Sequence, residues 1–275
     1  MKVALAQLNP TVGDVVGNAA LVREAVREAL GAGADLVVCS ELVLSGYPPK
    51  DLLLRDGFAA ACDRSVDRLA AELPPDIGVL VGHPSVRGLP SDRIANACSL
   101  LADGRVQTTI HKLLLPNYDV FDERRYFRPA DDLRLIEFRG RKLGVHICED
   151  AWWGEPDTFY HVDPPTLTDP VGKLAELGAE LFINVSASPF EAGKPEHRVR
   201  LLQRHVLRHG LPFVFVNQIG GNDDLVFDGH SLVLDAAGQV VLQMPGFDSH
   251  LHLVDVDRLP PPIAAYQPCR EAQLL

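Results

Sequence analysis

The sequence predicts an α/β fold in which sheets are sandwiched beneath helices. Short apolar runs bounded by turn residues read as buried strands, and the stretches between them carry apolar residues at helical spacing. Gly-containing turns join some of the runs directly, so antiparallel hairpins are mixed with strand-helix-strand crossovers.

Lys2 to Leu8 is the first apolar run, and Val22, Ala25, Val26, Ala29 and Leu30 then lie on one helical face that ends at Gly31 and Gly33. Ala34 to Cys39 reads as a second buried strand, which places Ser40-Glu41 near its carboxyl end. A helix over Phe58 to Leu73 precedes strands at Gly78 to Gly82, Ile94 to Leu101 and Arg105 to Ile110. The last two are joined by Ala102-Asp103-Gly104, a strong hairpin signal. Further strands fall at Lys142 to Ile147, Glu180 to Val185 and Pro212 to Val216, with helices at Val171 to Leu177 and His197 to His209. A final hairpin turns at Asp235-Ala-Ala-Gly238. The sequence contains no internal repeat or low-complexity tract, and its proline pairs sit between periodic segments, as loops within one unit do.

The chain has 275 residues, 47% hydrophobic and 23% charged, which suits one large core. Its formal charge is −11, with no long basic run, so nucleic acid and anionic membrane surfaces are not expected partners. The longest apolar runs fall far short of the roughly 20 residues that span a bilayer. Five widely spaced cysteines (Cys39, Cys62, Cys98, Cys148, Cys269), no CxxC pair and no secretory leader read as a reduced, cytoplasmic chain. No metal or other cofactor is expected: the histidines form no HxxxH pair with a third ligand, and His205 and His209, at i and i+4, are expected to face solvent.

Ligand sites in α/β sheets lie beyond the carboxyl ends of strands, and three chemically able residues fall at the ends of apolar runs. They are Glu41 after Leu36-Val-Val-Cys-Ser40, Lys112 after Thr108-Thr-Ile-His111, and Cys148 after Leu143-Gly-Val-His-Ile147. Together they make chemical sense for amide hydrolysis. A carboxylate takes the thiol proton during attack, an ammonium stabilises the thiolate and oxyanion, and the protonated carboxyl then serves the leaving ammonia. Spacing alone leaves other readings open. Cys148 also fits a small buried hydrophobe, as Cys39 does, Glu41 a capping residue, and Lys112 a solvated strand end.

The segments Ser40-Glu-Leu-Val-Leu-Ser-Gly-Tyr-Pro-Pro49, His111-Lys-Leu-Leu-Leu-Pro-Asn-Tyr-Asp-Val-Phe-Asp-Glu-Arg-Arg-Tyr-Phe127 and His146-Ile-Cys-Glu-Asp-Ala-Trp152 resemble the Glu-Lys-Cys signature of the nitrilase superfamily. With Asn184-Val-Ser-Ala-Ser-Pro-Phe190 and Gly220-Gly-Asn-Asp-Asp-Leu-Val-Phe-Asp-Gly229, the pattern is most similar to the glutaminase domain of glutamine-dependent NAD synthetases, over essentially the whole chain. The resemblance implies a four-layer α-β-β-α sandwich with Glu41 as base, Lys112 as oxyanion stabiliser, Cys148 as nucleophile and the Glu149 N–H in the oxyanion hole. It places Glu123 beside the lysine, although an ordinary salt bridge from Glu123 to Arg124 or Arg125 fits the sequence equally well. It implies a substrate pocket formed by Tyr47, Tyr118, Phe121, Glu149 and Ser188, with Lys194 as a cation for a free carboxylate or else a solvated loop lysine. Trp152 fits core and pocket wall alike.

The resemblance implies glutamine hydrolysis through a cysteine thioester, releasing ammonia for NAD synthesis from deamido-NAD on a synthetase domain or subunit. The chain lacks the Ser-Gly-Gly-x-Asp-Ser phosphate loop of that domain, and Gly220-Gly-Asn-Asp223 does not supply it. Residues 1–259 are thus expected to be the carbon-nitrogen hydrolase domain, and 260–275 a tail or linker toward an absent synthetase domain. A homo-oligomer is expected from the superfamily's habit. The alternatives are a stand-alone amidase, an N-carbamoyl amino acid amidohydrolase, or a catalytically silent subunit that keeps the fold.

Overall fold

A computed structural model describes residues 1–90, 93–156, 158 and 168–265. Fourteen strands and four α-helices are present among them. The strands are β1 (Lys2–Gln7), β2 (Leu36–Val38), β3 (Gly78–Ser85), β4 (Ala95–Ala102), β5 (Arg105–His111), β6 (Ile136–Phe138), β7 (Arg141–Ile147), β8 (Leu181–Ser186), β9 (Phe213–Asn217), β10 (Ile219–Asn222), β11 (Leu225–Asp228), β12 (Leu232–Leu234), β13 (Val240–Gln243) and β14 (His250–Asp255). The helices are α1 (Val15–Gly31), α2 (Phe58–Glu72), α3 (Pro170–Glu176) and α4 (Lys194–His209).

Two six-stranded sheets form, in the orders β14-β1-β2-β3-β4-β5 and β13-β12-β9-β8-β7-β6, with β10 and β11 as a separate ribbon. Period-two alternation divides each strand between two cores. In β1, Val3 and Leu5 face the second sheet, against residues such as Val145, Ile147, Ile183 and Val214. Ala4 and Ala6 face the opposite way, into the layer made by Val22, Val26 and Ala29 of α1 and Val66 and Leu69 of α2. The second sheet does the same, sending Phe182, Phe213 and Phe215 outward against Val171 and Leu174 of α3 and Val199, Leu202 and Val206 of α4. The layers therefore run α-β-β-α, as expected.

Local chemistry explains the boundaries. The Asp14 carboxylate accepts the Gly17 N–H at 2.8 Å and caps α1, while Gly210 ends α4 in the left-handed region at φ +69°. At the β4–β5 turn, Asp103 and Gly104 both have positive φ, +51° and +73°, as a two-residue hairpin that follows the strand twist requires.

Four strands lie outside the sequence reading. β6 is only three residues long, the β10–β11 ribbon is rich in Gly and Asp, and β14 alternates with exposed histidines. In β14, pairing with β1 in register from Lys2↔Asp255 to Gln7↔His250 overrides the weak local signal. The expectation that His205 faces solvent is corrected. It is buried, its Nε2 donates to the Ala151 carbonyl at 2.7 Å, and its ring stacks on Phe213. A helical i, i+4 pair shares one face, but Arg204 and Leu207 take the solvent side at this turn. Cys39, Cys62 and Cys98 are buried free thiols, and burial pushes the first two up to about 12; Cys269 lies outside the described residues.

Gly82 of β3 packs directly under the loop that follows β2. A Cβ there would meet Ser40 O and Leu42 N at 2.4 Å. Gly82→Ala is expected to lower the unfolding free energy by about 1–3 kcal/mol, as overpacking against backbone does. An unchanged urea midpoint would show that the loop yields freely.

Candidate active site

The carboxyl ends of β2, β7, β8 and β9 meet at one edge of the sandwich, joined there by the segment after β5. Glu41 follows β2 and is fully buried. Its Oε1 accepts from Lys112 Nζ at 2.7 Å and from Asn96 Nδ2 at 2.7 Å, and its Oε2 accepts the Ala187 N–H at 2.9 Å. Since Ala187 follows β8 of the other sheet, this carboxylate also stitches the two sheets together. Leu42, next in the chain, turns through the left-handed region at φ +47°.

Lys112 is 1% exposed and bridges two carboxylates, donating to Glu41 and, at 2.8 Å, to Glu123 Oε1. Burial works against its charge, but Glu123 and Glu41 more than offset that and hold it well above the usual lysine range. Lys112 is therefore an ammonium. The Glu123 carboxyl is pushed up to about 7 by burial, against the pull of Lys112. Glu123 has no ion pair with Arg124 or Arg125; its second partner is the Tyr47 hydroxyl, which donates to Oε1 at 2.9 Å. Tyr47 thus stands behind the lysine, and its ring borders a separate cavity of about 240 Å³ with Leu53, Phe127 and Leu225.

Cys148 opens a 3₁₀ turn, Cys148–Trp152, at the end of β7. Its φ is +43°, a left-handed conformation that costs a non-Gly residue on the order of 1 kcal/mol or more. Asp150 holds this strained corner. One of its oxygens accepts the Ile147 N–H at 3.0 Å, and the other accepts the Leu113 and Leu114 N–H groups at 3.0 and 2.8 Å. One buried carboxylate therefore clamps the residue before Cys148 to those just after Lys112. Burial, then Glu41, raises the Cys148 thiol well above its ordinary range, and Lys112 opposes them. At rest the sulfur carries its proton.

Cys148 lies in the wall of a cavity of about 380 Å³, together with Tyr118, Phe121, Glu149, Ser188 and Lys194. The Tyr118 hydroxyl donates to Glu149 Oε1 at 2.6 Å, and burial pushes the Glu149 carboxyl up to about 7 despite that bond. Lys194, which lines the same cavity, opens α4. Its Nζ stands 6.0 Å from the Phe121 ring centre and 5.7 Å from that of Trp152, within cation–π range. Lys194 is half-buried against aromatic rings, and Trp152 belongs both to the wall and to the packing against α4.

The structure brings Glu41, Lys112, Glu123 and Cys148 together and places five of the six expected pocket residues around one cavity. Sequence reasoning missed Asn96, Asp150, His197 and Arg200, the last two being further basic groups in the same wall. The available signal for Asn96 was a lone amide inside the apolar run Ile94-Ala-Asn-Ala-Cys98. Among the described residues, no three His, Cys, Asp or Glu side chains gather as metal ligands, and no helix is long and apolar enough to cross a membrane.

Known proteins resemble this chain in sequence and in fold over nearly all of its length. The chain is 40% identical over 264 residues to a glutamine-dependent NAD(+) synthetase from Synechocystis sp., and 38% identical over 263 residues to one from Thermotoga maritima. These matches take in 93% and 94% of the chain but 46% and 42% of the relatives, so the chain spans somewhat under half their length. The solved glutamine-dependent NAD+ synthetase of Acinetobacter baumannii superposes with a TM-score of 0.83 at 33% identity, covering 97% of this chain and 48% of that one. An amidase from Nesterenkonia sp. shares the fold, with a TM-score of 0.77 at 24% identity, over 93% of this chain and 89% of that one. The carbon-nitrogen hydrolase pattern itself runs through residues 2–160, from β1 past the Cys148 turn. With that match over more than half its length, on the fold and site just described, the chain belongs to the carbon-nitrogen hydrolase family.

Proposed function

We propose that this chain hydrolyses the side-chain amide of glutamine through a Cys148 thioester, with Glu41 as proton carrier, and that the ammonia serves NAD synthesis from deamido-NAD. The observation that carries the reading is the buried Glu41–Lys112–Glu123 chain beside Cys148, whose cavity is lined by both Glu149 and Lys194.

Each role follows from the local electrostatics. Burial keeps Cys148 a thiol, so its proton must leave as sulfur attacks the amide carbon, and Glu41 is the carboxylate placed to take it. Lys112 cannot compete for that proton, because its two carboxylates keep it charged. Its charge instead stabilises the oxyanion, together with the Glu149 N–H. Glu123, with Tyr47, holds the ammonium in place. The protonated Glu41 then gives its proton to the departing nitrogen, and ammonia leaves the acyl group on sulfur. Water adds to the thioester with Glu41 again as base, releasing glutamate and restoring the thiol.

Glutamine suits the pocket because its α-ammonium and α-carboxylate match the Glu149 carboxylate and the cation of Lys194. The synthetase that would use the ammonia corresponds to the part of the relatives that this chain does not span. On this reading residues 1–259 act as the glutaminase domain and 260–275 as the link to that partner.

Ammonia release measured across glutamine, asparagine, simple aliphatic amides and N-carbamoyl amino acids tests the assignment. A clear preference for glutamine supports it, and equal or better turnover of an unrelated amide overturns it. A pH series adds a second check. Only the ionised Glu149 pairs with the substrate ammonium, and burial puts its carboxyl at about 7. KM for glutamine should therefore rise as pH falls through 7, and Glu149→Gln should raise KM and flatten that dependence. A KM that stays pH-dependent in the variant would assign the titration to another group.

A further inference from the structure

The Gly220–Gly229 segment has no part in the chemistry above, yet it ends on a fully buried carboxylate. Asp228, the last residue of β11, is 0% exposed and pairs with Arg198 of α4, which is 1% exposed. The guanidinium meets it with both arms, Nη2 to Oδ1 at 3.1 Å and Nη1 to Oδ2 at 3.3 Å, and also donates from Nη1 to Gly229 O at 3.4 Å. The contact that reaches the site is its fourth. Arg198 Nη2 donates to Ser188 Oγ at 3.3 Å.

Ser188 is held on its main chain as well. Asn217 accepts its N–H at 2.8 Å and donates to its carbonyl at 3.2 Å, and the same amide reaches Gly229 O at 3.0 Å. The residue thus has a fixed backbone and one oxygen lone pair occupied by a cation. Among the described residues, no acceptor takes its hydroxyl hydrogen, and Ser188 lines the Cys148 cavity. A hydroxyl with guanidinium behind it is a good donor and a poor acceptor, because a second cation in front would place two positive charges around one oxygen.

We propose that the buried Arg198–Asp228 pair is a specificity-setting positioning device, which turns Ser188 into a hydrogen-bond donor for the substrate's carboxylate and against its ammonium. Glu149 takes the ammonium, while Ser188 and Lys194 take the carboxylate. Arg198 and Asp228 touch no substrate and act through Ser188.

The inference rests on glutamine as substrate, and the test separates the two. Steady-state rates are measured for the wild type, Ser188→Ala, Arg198→Lys and the double variant. The substrates are glutamine, γ-aminobutyramide (glutamine without its carboxylate) and glutaramate (glutamine without its amino group). Lysine keeps the charge opposite Asp228 but lacks the fork that reaches Ser188 as well. The expected result is a KM for glutamine and glutaramate raised about tenfold in each single variant, the scale of one hydrogen bond to a charged group. The values of kcat stay within about twofold, γ-aminobutyramide is unaffected, and the double variant is no worse than Ser188→Ala. Losses on γ-aminobutyramide that match those on glutamine would mean that Ser188 accepts from the ammonium, and would overturn the proposal. So would an Arg198→Lys loss that persists in full on top of Ser188→Ala. If Arg198→Lys fails to fold, the substrate pattern of Ser188→Ala alone decides. A wild type that turns over all three amides equally would remove the glutamine reading itself.

Discussion

Cys148→Ala is expected to abolish amide hydrolysis, with kcat falling by roughly 10⁴-fold or more, the scale seen when a covalent nucleophile is removed. The fold should survive, because the side chain lost is small and borders a cavity as well as the core between the sheets. Alanine also adopts the left-handed turn no worse than cysteine does. The measurement pairs ammonia release with a thermal melt. A variant that melts like the wild type and still releases ammonia at a tenth of its rate would remove Cys148 from the mechanism. Cys39, Cys62 and Cys98 serve as controls: all are buried thiols outside this cavity, and a glutamine-derived electrophile should spare them.

The second large effect is on Lys112. Lys112→Met leaves Glu41 and Glu123 buried without their shared cation, and breaking a buried pair in this way costs about 3–5 kcal/mol. Activity should fall about 10²–10³-fold, as it does when an oxyanion partner is lost. The stability loss should depend on pH with a definite sign. Without Lys112, the Glu123 carboxyl rises above its present value of about 7, further above that of an unfolded chain. Its neutral form then carries the stability, which is present at low pH and lost as pH rises through the raised value. The gap in melting temperature from the wild type should therefore widen between pH 5.5 and pH 8. Adding Glu123→Gln should recover part of the stability and none of the rate. A gap that is constant with pH would mean that the two carboxylates do not share the lysine.

How far the sequence reached can be judged from particular residues. The strand-helix alternation and the turns at Asp103-Gly104 and Asp235 to Gly238 were legible because they are local, and the sheet order follows once those elements pack. The strand β14 was not, since its stability comes from pairing with residues some 250 positions earlier. At the site, Glu41, Lys112 and Cys148 each stand at the end of an apolar run, which a reading by position can find. Asp150 and Arg198 are different. Asp150 binds three backbone N–H groups from two distant segments, and Arg198 lies on a helix face that only tertiary packing buries. A charged residue looks solvated until the element that covers it is known. Even the placement of Glu123 beside Lys112 rested on resemblance, because two neighbouring arginines offered it an equally plausible partner.

The pairing of β1 with β14 has a consequence for how the protein is made. β1 is bordered on one side by β2, which follows it closely in the chain, while its other edge must wait for residues 250–255. Through most of synthesis Lys2–Gln7 offers an open row of amide and carbonyl groups, the feature that invites stray strand pairing. The nascent chain carries Cys148 long before Ala187 and Asn217 arrive to secure Glu41 and Ser188. A partly made chain therefore holds an unarmed thiol. On the proposed mechanism, activity waits until the two sheets have closed on each other.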